Sequence, residues 1–261
     1  MPKDPNELVR EVIANEIQKQ AQDHSNWQYM ESKKEGGEVQ LLEIVGTHQG
    51  DIHRVIAVNG HPLSVTEARK EDARIHRLVS NRQPLESAYR KEKEDFNNEL
   101  HLLRMLPDIF VYRYAGEEGS LVKLQFKPNP AFHPSGHEAQ VFHEMEGIIW
   151  VDPKETRLAR MSGRLTREVK FGAGILGYLD AGGTFDVEQQ EVANGFWELT
   201  RLDVNMNGRM LFFKTISVKQ NVENYDYKPV SANITLQQAA ELLERGSTAA
   251  LRERSQHTAR M

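Results

Sequence analysis

The sequence predicts an α+β fold built on one long antiparallel meander with helices covering its apolar face. Three observations predict it. Turn signals recur about a strand length apart, at Gly36-Gly37, Gly50-Asp51, Gly119-Ser120, Asp152-Pro153, Gly182-Gly183, Asn194-Gly195 and Asn207-Gly208. Between them apolar and polar residues alternate, the pattern of a half-buried strand. Two stretches, at the start of the chain and after Ser64, instead carry helix-start signals and a helical period.

In chain order, Asp4 as N-cap, Pro5 at the first helical position and Glu7 three residues after the cap predict a first helix. Leu8, Val12, Ile13 and Ile17 give it an apolar face. Trp27-Gln28-Tyr29 then begins a first strand, Val39–Thr47 forms a second and Ile52–Val58 a third, which ends at Asn59-Gly60. Ser64-Val65-Thr66-Glu67 is a capping box and opens a charged helical insertion over about 64–106, with Pro84 starting its second helix and Pro107 closing it. Leu85, Tyr89, Phe96, Leu100 and Leu103 fall near helical spacing there, a stripe that needs cover, and the sheet's face is the place for it.

Strands resume at Ile109–Ala115 and Leu121–Lys127, the latter alternating Val122, Leu124 and Phe126 with Lys123 and Gln125. Residues 129–137 read as a loop. Further strands are expected at Ala139–Val151, Leu158–Val169, a bent glycine-rich piece over 170–180, Thr184–Gln190, Phe196–Met206 and Arg209–Gln220. The sharpest hairpin signal is Leu202, Val204 and Met206, a turn at Asn207-Gly208, and a return through Phe212, Ile216 and Val218. Thr235-Leu236-Gln237-Gln238 opens a last short helix stopped by Gly246. Residues 4–245 read as a single domain and 246–261 as a disordered tail.

Composition narrows the function. A formal net charge of −5 over 261 residues gives no basic footprint for nucleic acid. The absence of cysteine excludes disulfides, thiolate metal sites and a cysteine nucleophile. No apolar run reaches the roughly 20 residues of a membrane helix. Gly172-Ala173-Gly174-Ile175-Leu176-Gly177 matches the dinucleotide fingerprint in letters, but the residues after it lead to a Gly-Gly turn where the fingerprint needs a helix. No cofactor is therefore expected. His133, His137 and His143 are the nearest approach to a metal cluster, and a hydrolase built on them is a lesser alternative.

Four segments carry a family resemblance: Asn26-Trp27-Gln28-Tyr29, Gly147-Ile148-Ile149-Trp150-Val151-Asp152-Pro153, Leu158-Ala159-Arg160-Met161 and Tyr225-Asp226-Tyr227. With the order of helix, strands, helical insertion and meander, the chain resembles the periplasmic lipoprotein-carrier superfamily, the LolA/LolB-like fold, and its outer-membrane lipoprotein-sorting branch. The resemblance implies an unclosed, strongly bent half-barrel whose concave face is plugged by the insertion. It also implies a periplasmic, non-enzymatic protein that binds a lipid or the acyl chain of a lipoprotein, a monomer being expected. The cavity residues would be Leu85, Tyr89, Phe96, Leu100 and Leu103 on the helices. On the sheet they would be Val122, Leu124, Phe126, Trp150, Leu202, Val204, Met206, Phe212 and Ile216. The alternative is an interaction module of the cell envelope with a filled core and a protein partner. Without export, the location would be cytoplasmic.

Overall fold

The computed structural model describes residues 3–171, 177–210 and 214–245, with the backbone alone at 82–86, 88, 91, 92, 95, 99, 210 and 214–218. It is an α+β fold. The elements are α1 (Pro5–Gln22), β1 (Asn26–Glu35), β2 (Glu38–Val45), β3 (Ile52–Val58), β4 (His61–Pro62), α2 (Val65–Ser80), α3 (Arg82–Ile109), β5 (Phe110–Glu118), β6 (Leu121–Pro128), α4 (His137–Phe142), β7 (Met145–Asp152) and β8 (Arg157–Leu165). They continue with β9 (Val169–Phe171), β10 (Gly177–Leu179), β11 (Thr184–Ala193), β12 (Phe196–Met210) and β13 (Lys214–Val230), and a final helix α5 over residues 236–245. Among the described residues the strands form one thirteen-stranded, unclosed antiparallel sheet whose order ends at β4 on one side and β5 on the other.

The chain divides into two compact units, each assembled from two separate stretches. The first comprises residues 1–23 and 96–222. Its strands run β12-β11-β8-β7-β6-β5, with β10 and β9 paired beside β12. Val9, Val12 and Ile13 of α1 and Leu106 and Ile109 of α3 pack in its core with Phe110, Leu124, Phe126, Ile149, Val151, Met161 and Leu165. Asp4 caps α1 through the backbone N–H of Asn6 at 2.7 Å, so the helix starts where its sequence signals place it. The second unit comprises residues 24–95 and 223–261, with strands β4-β3-β2-β1 followed by the later part of β13. Val45, Ile52, Ile75, Ile234, Ala239, Ala240 and Leu243 form its core.

The two-residue turns at Gly36-Gly37 and Asn59-Gly60 have positive φ at both central positions, the type I′ geometry that suits strand twist. The Ser64 capping box is complete, with Glu67 N–H donating to Ser64 Oγ and Ser64 N–H to Glu67 Oε2. Thr235 and Gln238 make the same reciprocal pair ahead of α5.

Several boundaries differ from the sequence expectation. The helix α3 runs past Pro107 to Ile109, because a proline in the final turn removes only one N–H from the ladder. Residues 137–142 form α4 rather than the start of a strand, and β7 begins at Met145. The hairpin turn expected at Asn207-Gly208 is not there: β12 continues to Met210, and Gly208 pairs with Leu179 of β10. A Cβ on Gly208 would sit 2.2 Å from the Tyr178 carbonyl oxygen, so this glycine answers to a close strand approach and not to a turn. The expected return through Phe212, the glycine-rich run 172–176, the side chains of Leu85 and Ile216, and the tail after Arg245 lie outside the described residues.

Candidate functional site

A groove of about 610 Å³ opens in the first unit. It is bounded by the last turns of α1, by Leu103 of α3, by the start of β8, by β11 and by the β11–β12 connection. Its apolar lining comes from Leu103, Leu158, Ala159, Met161, Val187, Phe196, Trp197 and Leu199. Its polar lining centres on Glu16 and Arg157.

Local sequence explains how Arg157 comes to be there. Asp152 accepts hydrogen bonds from the N–H groups of Lys154 and Glu155 and so winds the β7–β8 turn, which ends at Thr156 with φ +54°. Asn15 of α1 donates to the carbonyls of Glu155 (3.3 Å) and Thr156 (3.0 Å), tying that turn to the helix. One residue on, Glu16 Oε1 accepts from Arg157 Nε at 2.8 Å, from the Leu158 N–H at 2.7 Å and from Gln189 Nε2 at 3.1 Å. Both charged side chains are 8% exposed. The guanidinium carbon lies 5.3 Å from the centre of the Trp197 ring, a cation–π distance.

The β11–β12 hairpin shapes the opposite wall. Register shifts between Glu188 and Gln189 and again between Glu191 and Ala193 break the even alternation of β11. Such bulges re-aim side chains, and here Gln189 reaches both Glu16 and the Leu158 carbonyl. The turn residue Gly195 has φ +79° and donates its N–H to Glu191, which sets Phe196 and Trp197 at the rim. Phe196 is 39% exposed. Beside the groove, Arg160 makes a two-pronged pair with Asp186, both bonds 2.7 Å, which holds the guanidinium more firmly protonated than usual.

A buried ion pair is a poor source of stability, because removing two charges from water costs about what their attraction returns. Glu16 and Arg157 instead add three fixed hydrogen bonds and a charged floor to an otherwise apolar groove. Chemically the arrangement can seat a chain-like apolar group and engage a polar end. Among the described residues, no group of three or more His, Asp or Glu is placed to hold a metal ion.

Among the described residues expected to line a cavity, Leu103 alone borders this groove. Leu124 and Phe126 are fully buried in the core, with Val122, Val204 and Met206 packed against it. Trp150 lies under Arg160, 4.6 Å from guanidinium carbon to ring centre, and donates to Glu118. Its neighbours Ile149 and Val151 are the ones in the core. Leu202 is half-buried opposite Val187. On α3, Leu100 is half-buried while Tyr89 and Phe96 are 44% and 38% exposed, so only the end of the stripe is covered. The three histidines go separate ways: His133 bonds the Ala131 carbonyl, His137 packs on Phe171 and His143 bonds the Asn129 carbonyl.

Sequence reasoning passed over Glu16, Arg157, Gln189, Phe196, Trp197 and Leu199 as site residues. One signal was available: Glu16 interrupts the apolar stripe of α1 at the position after which Ile17 resumes it, and a carboxylate on a buried face needs a partner. That the partner is 141 residues away is not readable from spacing.

Fold and groove together define an α+β architecture with an apolar, ion-pair-floored groove, and among the described residues no helix is long and apolar enough to cross a membrane. No family model matches the chain, and no curated protein matches it. The chain is similar to a solved structure of a DUF1329 family protein from Desulfovibrio piger, over 87% of this chain and 94% of that one, with 12% identity and a TM-score of 0.30. A likeness at that level assigns no residue and no ligand.

Proposed function

We propose that the protein is a non-enzymatic binding protein of the periplasm that holds a hydrophobic ligand, a lipid or the acyl chain of a lipoprotein, in the groove between α1, β8 and the β11–β12 hairpin. The observation that carries this reading is the groove itself: about 610 Å³ with eight apolar side chains along it, inside the roughly 300–1,000 Å³ of small-molecule sites. Burying about ten methylenes there is worth roughly 8 kcal/mol before ordering costs are subtracted. The reading moves the ligand from the sheet face that the insertion was expected to plug to the end of α1, because Leu124 and Phe126 already fill the core.

Native mass spectrometry of the protein purified from cells, followed by solvent extraction, tests it. A near-stoichiometric acyl species that is lost in Leu199→Asp supports the reading, and an empty protein that takes up no fatty acid overturns it.

A second reading, an envelope interaction module, is favoured by Tyr89 and Phe96. Each is a large aromatic side chain left exposed on α3. A photo-crosslinker at Tyr89 that captures no envelope protein in cells would remove it.

A further inference from the structure

The strongest unexplained feature of the groove is the unused side of Arg157. Its Nε is committed to Glu16, and among the described residues no hydrogen bond or ion pair engages Nη1 or Nη2. The side chain is 8% exposed, and it lines the groove. Four N–H donors on Nη1 and Nη2 are left over, and neither nitrogen is among the buried polar atoms without a partner, so they open onto the groove where a ligand can reach them. Trp197 over the guanidinium and the fixed Glu16 carboxylate hold it in one orientation.

We propose that the groove selects amphiphiles with a carboxylate head, whose two oxygens take the end-on pair of Nη donors of Arg157 while the chain lies along Leu158, Met161, Phe196 and Leu199. This rests on the reading of the groove as a hydrophobic-ligand site and names the class of ligand. A planar carboxylate matches the guanidinium fork. A phosphate dianion does not suit it, because the groove offers no net positive field. Lys19, Arg157 and Arg160 face it together with Glu16, Asp23 and Glu198, and Arg160 is already bound in two places by Asp186. One half-neutralised cation serves a single negative charge.

The test compares dodecanoate, dodecanol and dodecyl phosphate by isothermal titration. The wild-type protein is expected to bind dodecanoate about tenfold more tightly than dodecanol, the factor one charge-assisted contact supplies. In the double variant Glu16→Gln/Arg157→Gln, which removes both charges together and leaves neither orphaned, the ratio falls to about one. Equal affinity for acid and alcohol in the wild type, or a ratio that survives in the double variant, overturns the proposal, as does tighter binding of dodecyl phosphate. Should the double variant fail to fold, Arg157→Lys decides. It keeps a charge opposite Glu16 and loses the fork, so an undiminished acid preference overturns the proposal. If neither acid nor alcohol binds, it is the reading of the groove that fails, a result distinguishable from binding without preference.

Discussion

Gly147 and Gly163 face each other across β7 and β8, and the space above them is taken by aromatic rings. A Cβ on Gly147 would lie 2.0 Å from the Ser162 carbonyl oxygen and 2.9 Å from the Phe126 ring; one on Gly163 would meet both Phe126 and Phe185 at 2.9 Å. Close backbone approach and the rings together require these glycines, and Gly163→Ala should cost about 1–3 kcal/mol through overpacking, read as a lower midpoint in urea. Glu16 makes the complementary case. Glu16→Ala removes the acceptor of three donors and orphans a buried guanidinium, so a loss of about 3–5 kcal/mol is expected. Glu16→Gln together with Arg157→Gln should lose much less. Denaturant titration of the two variants side by side checks the difference.

Single elements were the most legible level of the sequence. The capping boxes at Ser64 and Thr235 and the type I′ turns at Gly36-Gly37 and Asn59-Gly60 act within four residues, so their chemistry is written locally. Asn207-Gly208 has the same letters as a hairpin turn and is part of a strand, because its neighbour across the sheet, β10, comes from residues some thirty positions earlier. Tertiary pairing overrode the local preference there. Helix α2 shows how a cap and a packed face combine. Ser64→Ala should cost about 0.5–2 kcal/mol by leaving first-turn N–H groups without an acceptor, measured as a drop in melting temperature.

The same helix is latched to β3. Glu71 accepts the Val55 N–H at 2.9 Å and two bonds from Arg74, which also reaches the His53 carbonyl. Burial opposes the charge on Glu71, but the Arg74 and Val55 bonds outweigh it and hold the carboxyl below the usual glutamate range. The linkage sign follows: the latch contributes fully above the ordinary glutamate value and loses its contribution as pH falls through the depressed one. Stability should therefore decline on acidification below about pH 4.5, and in Glu71→Gln that part of the decline should be missing from a pH series of urea midpoints.

At the scale of the whole molecule, the α+β class and the open antiparallel sheet were readable because alternation and turn spacing are periodic properties of the chain. The groove was not readable, since Glu16, Arg157, Gln189 and Trp197 come from α1, β8, β11 and β12 and meet only when strands with no shared sequence neighbourhood pair. Among the described residues Leu103 alone was foreseen there, as the end of a helical stripe. The second unit offers a test at this scale. Ile234, Ala239, Ala240 and Leu243 supply more than half of its core and all lie near the end of the described chain. Removing residues 231–261 should leave Val45, Ile52 and Ile75 without cover, and amide hydrogen exchange over residues 24–95 should rise toward the unprotected rate.

Because each unit is made of two stretches with the other unit's sequence between them, the order of synthesis and the order of assembly cannot coincide. Helix α1 is made before the strands it lies on, β5 and β8, which follow roughly ninety and a hundred and forty residues later. Strands β1 to β3 must likewise wait for α5. Contacts that distant in sequence make for slow closure, so neither unit is complete until its second stretch has been made, and whatever keeps the early apolar segments apart in that interval is as much a condition of the fold as the core itself.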